Sequence, residues 1–302
     1  MVVDIVKKLL VVGIILLLVC MSILSTGTIV EKSYVSTNYI PHDPIFINGN
    51  DNFTSENGVT GGLGTSNDPY IIEGWDINAS SHDGITIRNV SIFFIIRDCY
   101  IHDGVIGNND GIVFINVTNG IIEDTTITDN INGVMFHPQH PGKQNSEKND
   151  ICNNLITSNK YCGINFEHTG KGHHCNNNIF NNTISSNNMG IYIIMSEENQ
   201  IFYNNFISNG LGISLDMCIG GGDNNKIHQN NFINNSEHAF SIGPNKWFKF
   251  DFFKSRGNYW DDWEGLRFKY TRFFPFLLPY KIPDLRFQFD WFPAQKPYDI
   301  EV

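Results

Sequence analysis

The chain has 302 residues, 41% hydrophobic and 17% charged, enough apolar surface for a buried core, and this excludes wholesale disorder. Its 20 Lys plus Arg against 31 Asp plus Glu give a formal net charge of −11, so there is no basic footprint for a nucleic-acid partner. It carries 39 Asn and 41 Ile, a pairing that suits neither a helical bundle nor an ordinary amphipathic sheet and implies a repetitive architecture.

At the N-terminus Lys7 and Lys8 precede an apolar run of 16 residues, Leu9 to Leu24, followed by Ser25, Thr26 and Gly27. This reads as a signal peptide over residues 1–27; an uncleaved signal anchor is the alternative, because the run falls just short of the roughly 17–25 residues that span a bilayer. Both readings place the protein outside the cytoplasm, secreted or at the cell surface or envelope, with membrane contact only through this segment. Six Asn-x-Ser/Thr sequons, at Asn52, Asn78, Asn89, Asn116, Asn181 and Asn234, are glycan acceptors in an exported chain or a by-product of so much Asn. After the signal the cysteines are Cys99, Cys152, Cys162, Cys175 and Cys218. An odd set at irregular spacing is no disulfide framework, so at least one thiol is free, buried or metal-bound.

Residues 28–71 read as an N-terminal linker and cap: a strand from Ile45, a short helical turn begun at Asn52 or Thr54, then a Gly-rich loop. Gly61-Gly-Leu-Gly-Thr65 lacks the Lys and the following helix of a phosphate loop. Residues 72–243 hold an internal repeat. The block Ile96-Arg-Asp98-Cys-Tyr-Ile101 recurs as Ile122-Glu-Asp124, Ile151-Cys-Asn153, Ile179-Phe-Asn181, Phe202-Tyr-Asn204 and His228-Gln-Asn230, after a degenerate first copy at Ile72-Glu-Gly74. Each block leads to Gly and an alternating apolar strand, at Gly84, Gly111, Gly133, Gly163, Gly190 and Gly212, with Ala239 read in the last copy. A period in the mid-twenties with very short strands and no heptads fits a solenoid of parallel strands. Asn at the fixed turn position accepts the left-handed conformation of a sharp corner, and its amide can reach its counterpart one coil away. Asn153, Asn181, Asn204 and Asn230 are therefore architectural residues, and the Gly relieves crowding.

On these blocks the chain resembles the right-handed parallel β-helix repeat proteins, a superfamily that includes pectate lyases, polygalacturonases, adhesins and the NosD-like periplasmic proteins of copper-site maturation. The resemblance implies an all-β, right-handed parallel β-helix of about seven coils, capped at both ends. Residues 244–302 read as an aromatic C-terminal cap, in which Gly257-Asn258-Tyr259-Trp260 looks like the structural motif that follows the last coils of NosD-like and archaeal surface β-helix proteins.

The superfamily's chemistry is only thinly represented. There is no Arg-Ile-Lys strand of a polygalacturonase, and no Arg between residues 99 and 250 to serve as the base of a lyase. A carboxylate pair drawn from Asp261, Asp262 and Glu264 is the remaining hydrolytic arrangement. No catalytic residue is assigned, and the expected function is a non-catalytic surface-binding or structural rod, with polysaccharide or other envelope components as its partners and carbohydrate binding as one form. A NosD-like copper-handling protein and a polysaccharide-degrading enzyme are the alternatives. One constellation suits a soft metal: the loop edge after each Gly-Ile-x-Ile strand carries His137, His140, His168, His173, His174, Cys175, Met195, Asp216, Met217 and Cys218. Its expected core is His168, His173, His174 and Cys175, with copper or zinc as the ion and no other cofactor.

Overall fold

The computed structural model describes residues 39–138, 146–167, 174–216, 224–250, 256–265, 279–283 and 288–301. Each coil is three short strands, beginning with Tyr70–Glu73, Trp75–Asn78 and Ile85–Val90 and ending with Lys226–His228, Asn231–Ile233 and Glu237–Ser241. Every strand pairs in parallel with its equivalent one coil away, and the three columns form three sheets, the first, second and third in chain order. Seven such rungs are stacked, which makes six turns from the first to the last. The expected parallel β-helix is therefore present. Its only α-helical element among the described residues is the single turn Gly104–Gly107.

Alternation along each strand turns its apolar residues inward. Ile72, Ile96, Ile122, Ile151, Ile179, Ile201 and Ile227 are all fully buried, one above another in the first sheet. Branched Ile side chains fill this narrow interior because they pack closely on a pleated surface. Rings also stack along the axis: Phe206 on Phe232 at 4.7 Å and Phe232 on Trp260 at 4.3 Å.

The repeated Gly answers to crowding between coils. A Cβ at Gly111 would lie 2.6 Å from the Gly133 carbonyl oxygen, and the same clash recurs from Gly84 to Gly212. The last coil corrects the sequence reading, since the pairs Leu211–Glu237 and Ile213–Ala239 put Ala239 in the Ile column. His238 takes the Gly position. Its strand is the last of the third sheet, so no further coil crowds it.

The corners are corrected too. The left-handed residues between the first and second sheets are Asp98, Asp124, Asn153, Asn181, Tyr203 and Gln229, with φ between 47° and 59°. Asn153 and Asn181 are thus corner residues as expected, whereas Asn204 and Asn230 lie one position later, fully buried. The two properties ascribed to one Asn belong to adjacent residues. The second forms a ladder: the backbone N–H of each rung donates to the side-chain oxygen of the next, from Thr125 through Asn154, Asn182, Asn204 and Asn230 to Asn258, at 2.9–3.1 Å. A second ladder runs from Asn130 through Asn159, Asn187 and Asn209 to Asn235, and a third from Asn149 through Asn177, Asn199 and Asn225 to Asn245. Each satisfies backbone groups that strand pairing leaves open at a bend.

At the N-terminal end Ile40–His42 and Ile45–Asn48 begin the second and third sheets, and Val59–Gly61 lies antiparallel on the edge of the first. At the other end Gly257-Asn258-Tyr259-Trp260 closes the stack. Asn258 is the last rung of the first ladder, and its N–H donates to Asp290 Oδ2 at 2.6 Å. Trp260 Nε1–H donates to the same oxygen at 3.0 Å, and the Phe292 N–H to Oδ1 at 3.0 Å. Gly257 is small because a Cβ there would sit 2.0 Å from Asp290 Oδ1. Tyr259 pairs with Asn231 on the second sheet, and Trp260 lies between Phe232 and Tyr280, the latter stacked at 4.1 Å. Buried aromatic rings thus cover the last coil.

Candidate functional site

The chemistry-bearing side chains singled out in the sequence gather in two places, the loop edge beyond the third sheet and the C-terminal end of the stack. On the edge, strand register aligns the residues that follow Phe136 and Phe166 with Ile194 and Asp216, so His137 and Glu167 are neighbours. His137 is half exposed, and its Nε2 is 3.6 Å from Glu167 Oε2. Its Nδ1 is 3.1 Å from the Pro138 carbonyl oxygen, which only accepts, so Nδ1 carries a proton and Nε2 is the nitrogen turned to the carboxylate. With a second proton on Nε2 the two side chains form an ion pair, and a metal ion in place of that proton would meet the same two atoms. A second nitrogen anchored on a backbone carbonyl is also a feature of metal-ligating imidazoles.

The expected metal core is distributed differently. His168 and His173 lie outside the described residues, as do His140, Met217 and Cys218. His174 is fully buried and is a rung in a short ladder of its own: the Ser146 N–H donates to its Nδ1 at 3.2 Å, its own N–H donates to Ser196 Oγ, and its Nε2 lies 3.1 Å from the Glu167 carbonyl. Both ring nitrogens are engaged, so in this tautomer His174 has no lone pair to offer. Cys175 is partly exposed, with Sγ 3.6 Å from Glu147 Oε2; burial first and Glu147 second raise its pKa, which keeps it a thiol. Met195 sits in the left-handed region at φ 50°.

At the C-terminal end His238 Nε2 is 2.7 Å from Asp261 Oδ1 and 3.3 Å from Asp262 Oδ1, and Tyr280 donates its hydroxyl to Asp262 Oδ2 at 3.2 Å. This group joins two carboxylates singled out in the sequence to a histidine that repeat alignment had hidden under Ala239. One imidazole and two carboxylates resemble a metal ligand set. The ladder beside it argues otherwise. Asn235 Oδ1 accepts from the Asn209 N–H, which fixes the amide so that its Nδ2 donates to the Phe206 carbonyl at 2.9 Å and faces His238 Nδ1 at 3.3 Å. Nδ1 is therefore the acceptor, and Nε2 carries the proton and donates to Asp261. Asp261 Oδ2 in turn accepts from the Asn234 N–H at 2.6 Å. His238 and Asp261 thus finish the coil end, with no nitrogen lone pair turned outward.

The thiols offer no soft site among the described residues. Cys99, Cys152 and Cys162 are free and buried, and burial pushes each of them up to about 12. Cysteine binds copper or zinc as the thiolate, and these three thiols are buried, so they are core residues. Of the loop-edge donors described, the imidazole of His137 and the carboxylate of Glu167 are the two that fit a transition ion.

The profile of the family described as "Periplasmic copper-binding protein (NosD)" matches residues 21–265. A search of the curated proteins found no match. Solved structures similar to this one include the periplasmic alginate epimerase AlgG (16% identity, TM-score 0.43, covering 59% of this chain and 45% of that chain). The A-module of mannuronan C-5 epimerase AlgE6 from Azotobacter vinelandii is similar at 12% identity and TM-score 0.46, covering 58% of this chain and 55% of that one. Pectate lyase Pel9A is similar at 12% identity and TM-score 0.48, covering 74% and 64%. These are partial likenesses of fold, and the chain spans about half the length of the two epimerases.

Proposed function

This chain belongs to the NosD family, and on that premise we propose that it is a non-catalytic protein of the cell envelope, a stiff rod that handles a transition-metal ion on the loop edge beyond its third sheet. The observation that carries the reading is the juxtaposition of two ligand atoms on this edge: Nε2 of His137, half exposed, is turned to the Glu167 carboxylate at 3.6 Å, while Nδ1 is held by the Pro138 carbonyl. Imidazole with carboxylate suits Cu(II) or Zn(II), and among divalent ions such donors hold Cu(II) most tightly. A bound ion would supply charge neutralisation between the two side chains. The protein contributes the anchored tautomer of His137 and a carboxylate fixed by strand register. Much of the rod's polar interior is architectural: the ladder amides and His174 are rungs, and burial keeps the inner thiols protonated.

The test is Cu(II) retention after dialysis, read by metal content and by nitrogen hyperfine structure in the electron paramagnetic resonance spectrum. Imidazole-coordinated Cu(II) is expected in the mature protein, lost in His137→Ala and weakened in Glu167→Gln. Unchanged retention and an unchanged spectrum in His137→Ala refute the assignment.

A further inference from the structure

A cleft of about 540 Å³ opens on the outer face of the first sheet, at the C-terminal end of the stack. Strand alternation turns Ile227 inward and Lys226 and His228 outward. A bridge between Lys226 and Lys246 lays the following segment alongside, which brings Lys246, Phe248, Lys249 and Phe250 to the same cleft. The chain has no Lys between Lys171 and Lys226 and no Arg between Arg97 and Arg256, so three ammonium groups here are a local reversal of its charge. All three are exposed, and none forms an ion pair among the described residues.

Two further features point to what these cations meet. Phe180, Phe202 and His228 stack along the outer face, at 5.2 Å and 8°, then 5.5 Å and 22°, and Phe250 is 69% exposed beside them. His228 is only 5% exposed, and its Nδ1 has no hydrogen-bond partner. Burial, then the charges of Lys249 and Lys226, bring its pKa down to about 4, so the neutral ring lines the cleft without adding a charge to it.

We propose that this cleft binds an acidic carbohydrate, a uronate-bearing chain whose carboxylates meet Lys226, Lys246 and Lys249, with a ring face on Phe250. A small inorganic anion has no use for the aromatic faces, and a neutral sugar has none for the lysines. The site lies apart from His137 and does not depend on the metal reading.

Isothermal titration with hexagalacturonate, maltohexaose and inorganic phosphate tests it. Hexagalacturonate is expected to bind, more weakly as salt rises. The double variant Lys226→Ala/Lys249→Ala should weaken it about tenfold or more and Phe250→Ala about fivefold, with thermal midpoints unchanged because these side chains are exposed. No heat with hexagalacturonate, or equal binding of maltohexaose, overturns the proposal. Binding unaffected by Phe250→Ala, or displaced by phosphate at equal charge, overturns it by reducing the cleft to a simple anion patch.

Discussion

Replacing Asn204 by alanine removes one rung from the middle of the first ladder, and the structure states what is lost. Its Oδ1 accepts from the Asn182 N–H at 3.0 Å and the Asn182 amide at 2.9 Å; its Nδ2 donates to the Ile179 and Phe202 carbonyls and to Asn230 Oδ1, at 2.8, 3.1 and 3.0 Å. Asn230 Oδ1 keeps the Asn204 N–H and the Asn182 amide keeps its own carbonyls. The Asn182 N–H keeps nothing, and the Ile179 and Phe202 carbonyls lose their amide donor. One orphaned buried donor and two weakened acceptors cost about 2–4 kcal/mol. The neighbouring corner supplies the contrast. Asn181 holds φ 55°, so Asn181→Gly relieves a left-handed residue and should be within about 0.5 kcal/mol of the parent, whereas Asn204→Gly should cost as much as the alanine. Urea titration of the four proteins, with m-values compared, measures this. If Asn204→Ala is indistinguishable from the parent, or the two glycine variants lose equal stability, the division of labour between corner and rung is wrong.

Asp290 and His228 make opposed contributions to stability in acid. Burial raises Asp290 to about 6 from 3.8, so its share rises as pH falls through that window. Burial lowers His228 to about 4 from 6.5, so its share is lost as pH falls from 6.5 to 4. Each spans about 3 kcal/mol at most. Asp290→Asn should remove its opposing slope and make stability fall more steeply from pH 6 to pH 4, and denaturation curves parallel to the parent's across that range would contradict it. Gly257→Ala forces a methyl group against Asp290 Oδ1 and should lower the thermal midpoint markedly, while the double variant Gly257→Ala/Asp290→Ala should lose at least about 1 kcal/mol less than the sum of the two; strict additivity would show that the two residues do not collide.

The period, the three-strand coil and the aromatic cap were readable because they rest on local regularities: Ile alternation, Gly before each third-sheet strand, and a change of composition after Gly243. The register of the last two corners was not, because Asn doublets slide. In Asn153-Asn154 and Asn181-Asn182 the second residue is the rung; in Asn204-Asn205 and Asn230-Asn231 the first is, since Tyr203 and Gln229 hold the corner. Counting from the inward Ile would have fixed it, as Ile151, Ile179, Ile201 and Ile227 each stand three residues before a rung. At the candidate sites the sequence gathered the right residue types on the loop edge, but it could not tell a rung from a ligand. His174 sits in column with Ser146 and Ser196, a substitution pattern with no signature. Asp290 is 32 residues from the Asn258 it terminates, in a tail without periodicity. The lysine cleft joins Lys226 to Lys246 and Lys249 across a turn, where no motif marks it.

The ladders are one-way. Every backbone N–H in them points toward the C-terminal end, and every interior rung must both receive from the coil before and give to the coil after. An amide does both. A carboxylate side chain only receives, so Asp290 finishes the first ladder with no amide of its own to pass on, just as Asp261 finishes the corner at Asn234. The molecule therefore has a grammar of growth: a coil bearing Asn is an interchangeable word that duplication can insert anywhere between Asn154 and Asn258, while the acidic residue is punctuation. Lengthening or shortening such a rod changes its reach without redesigning its end.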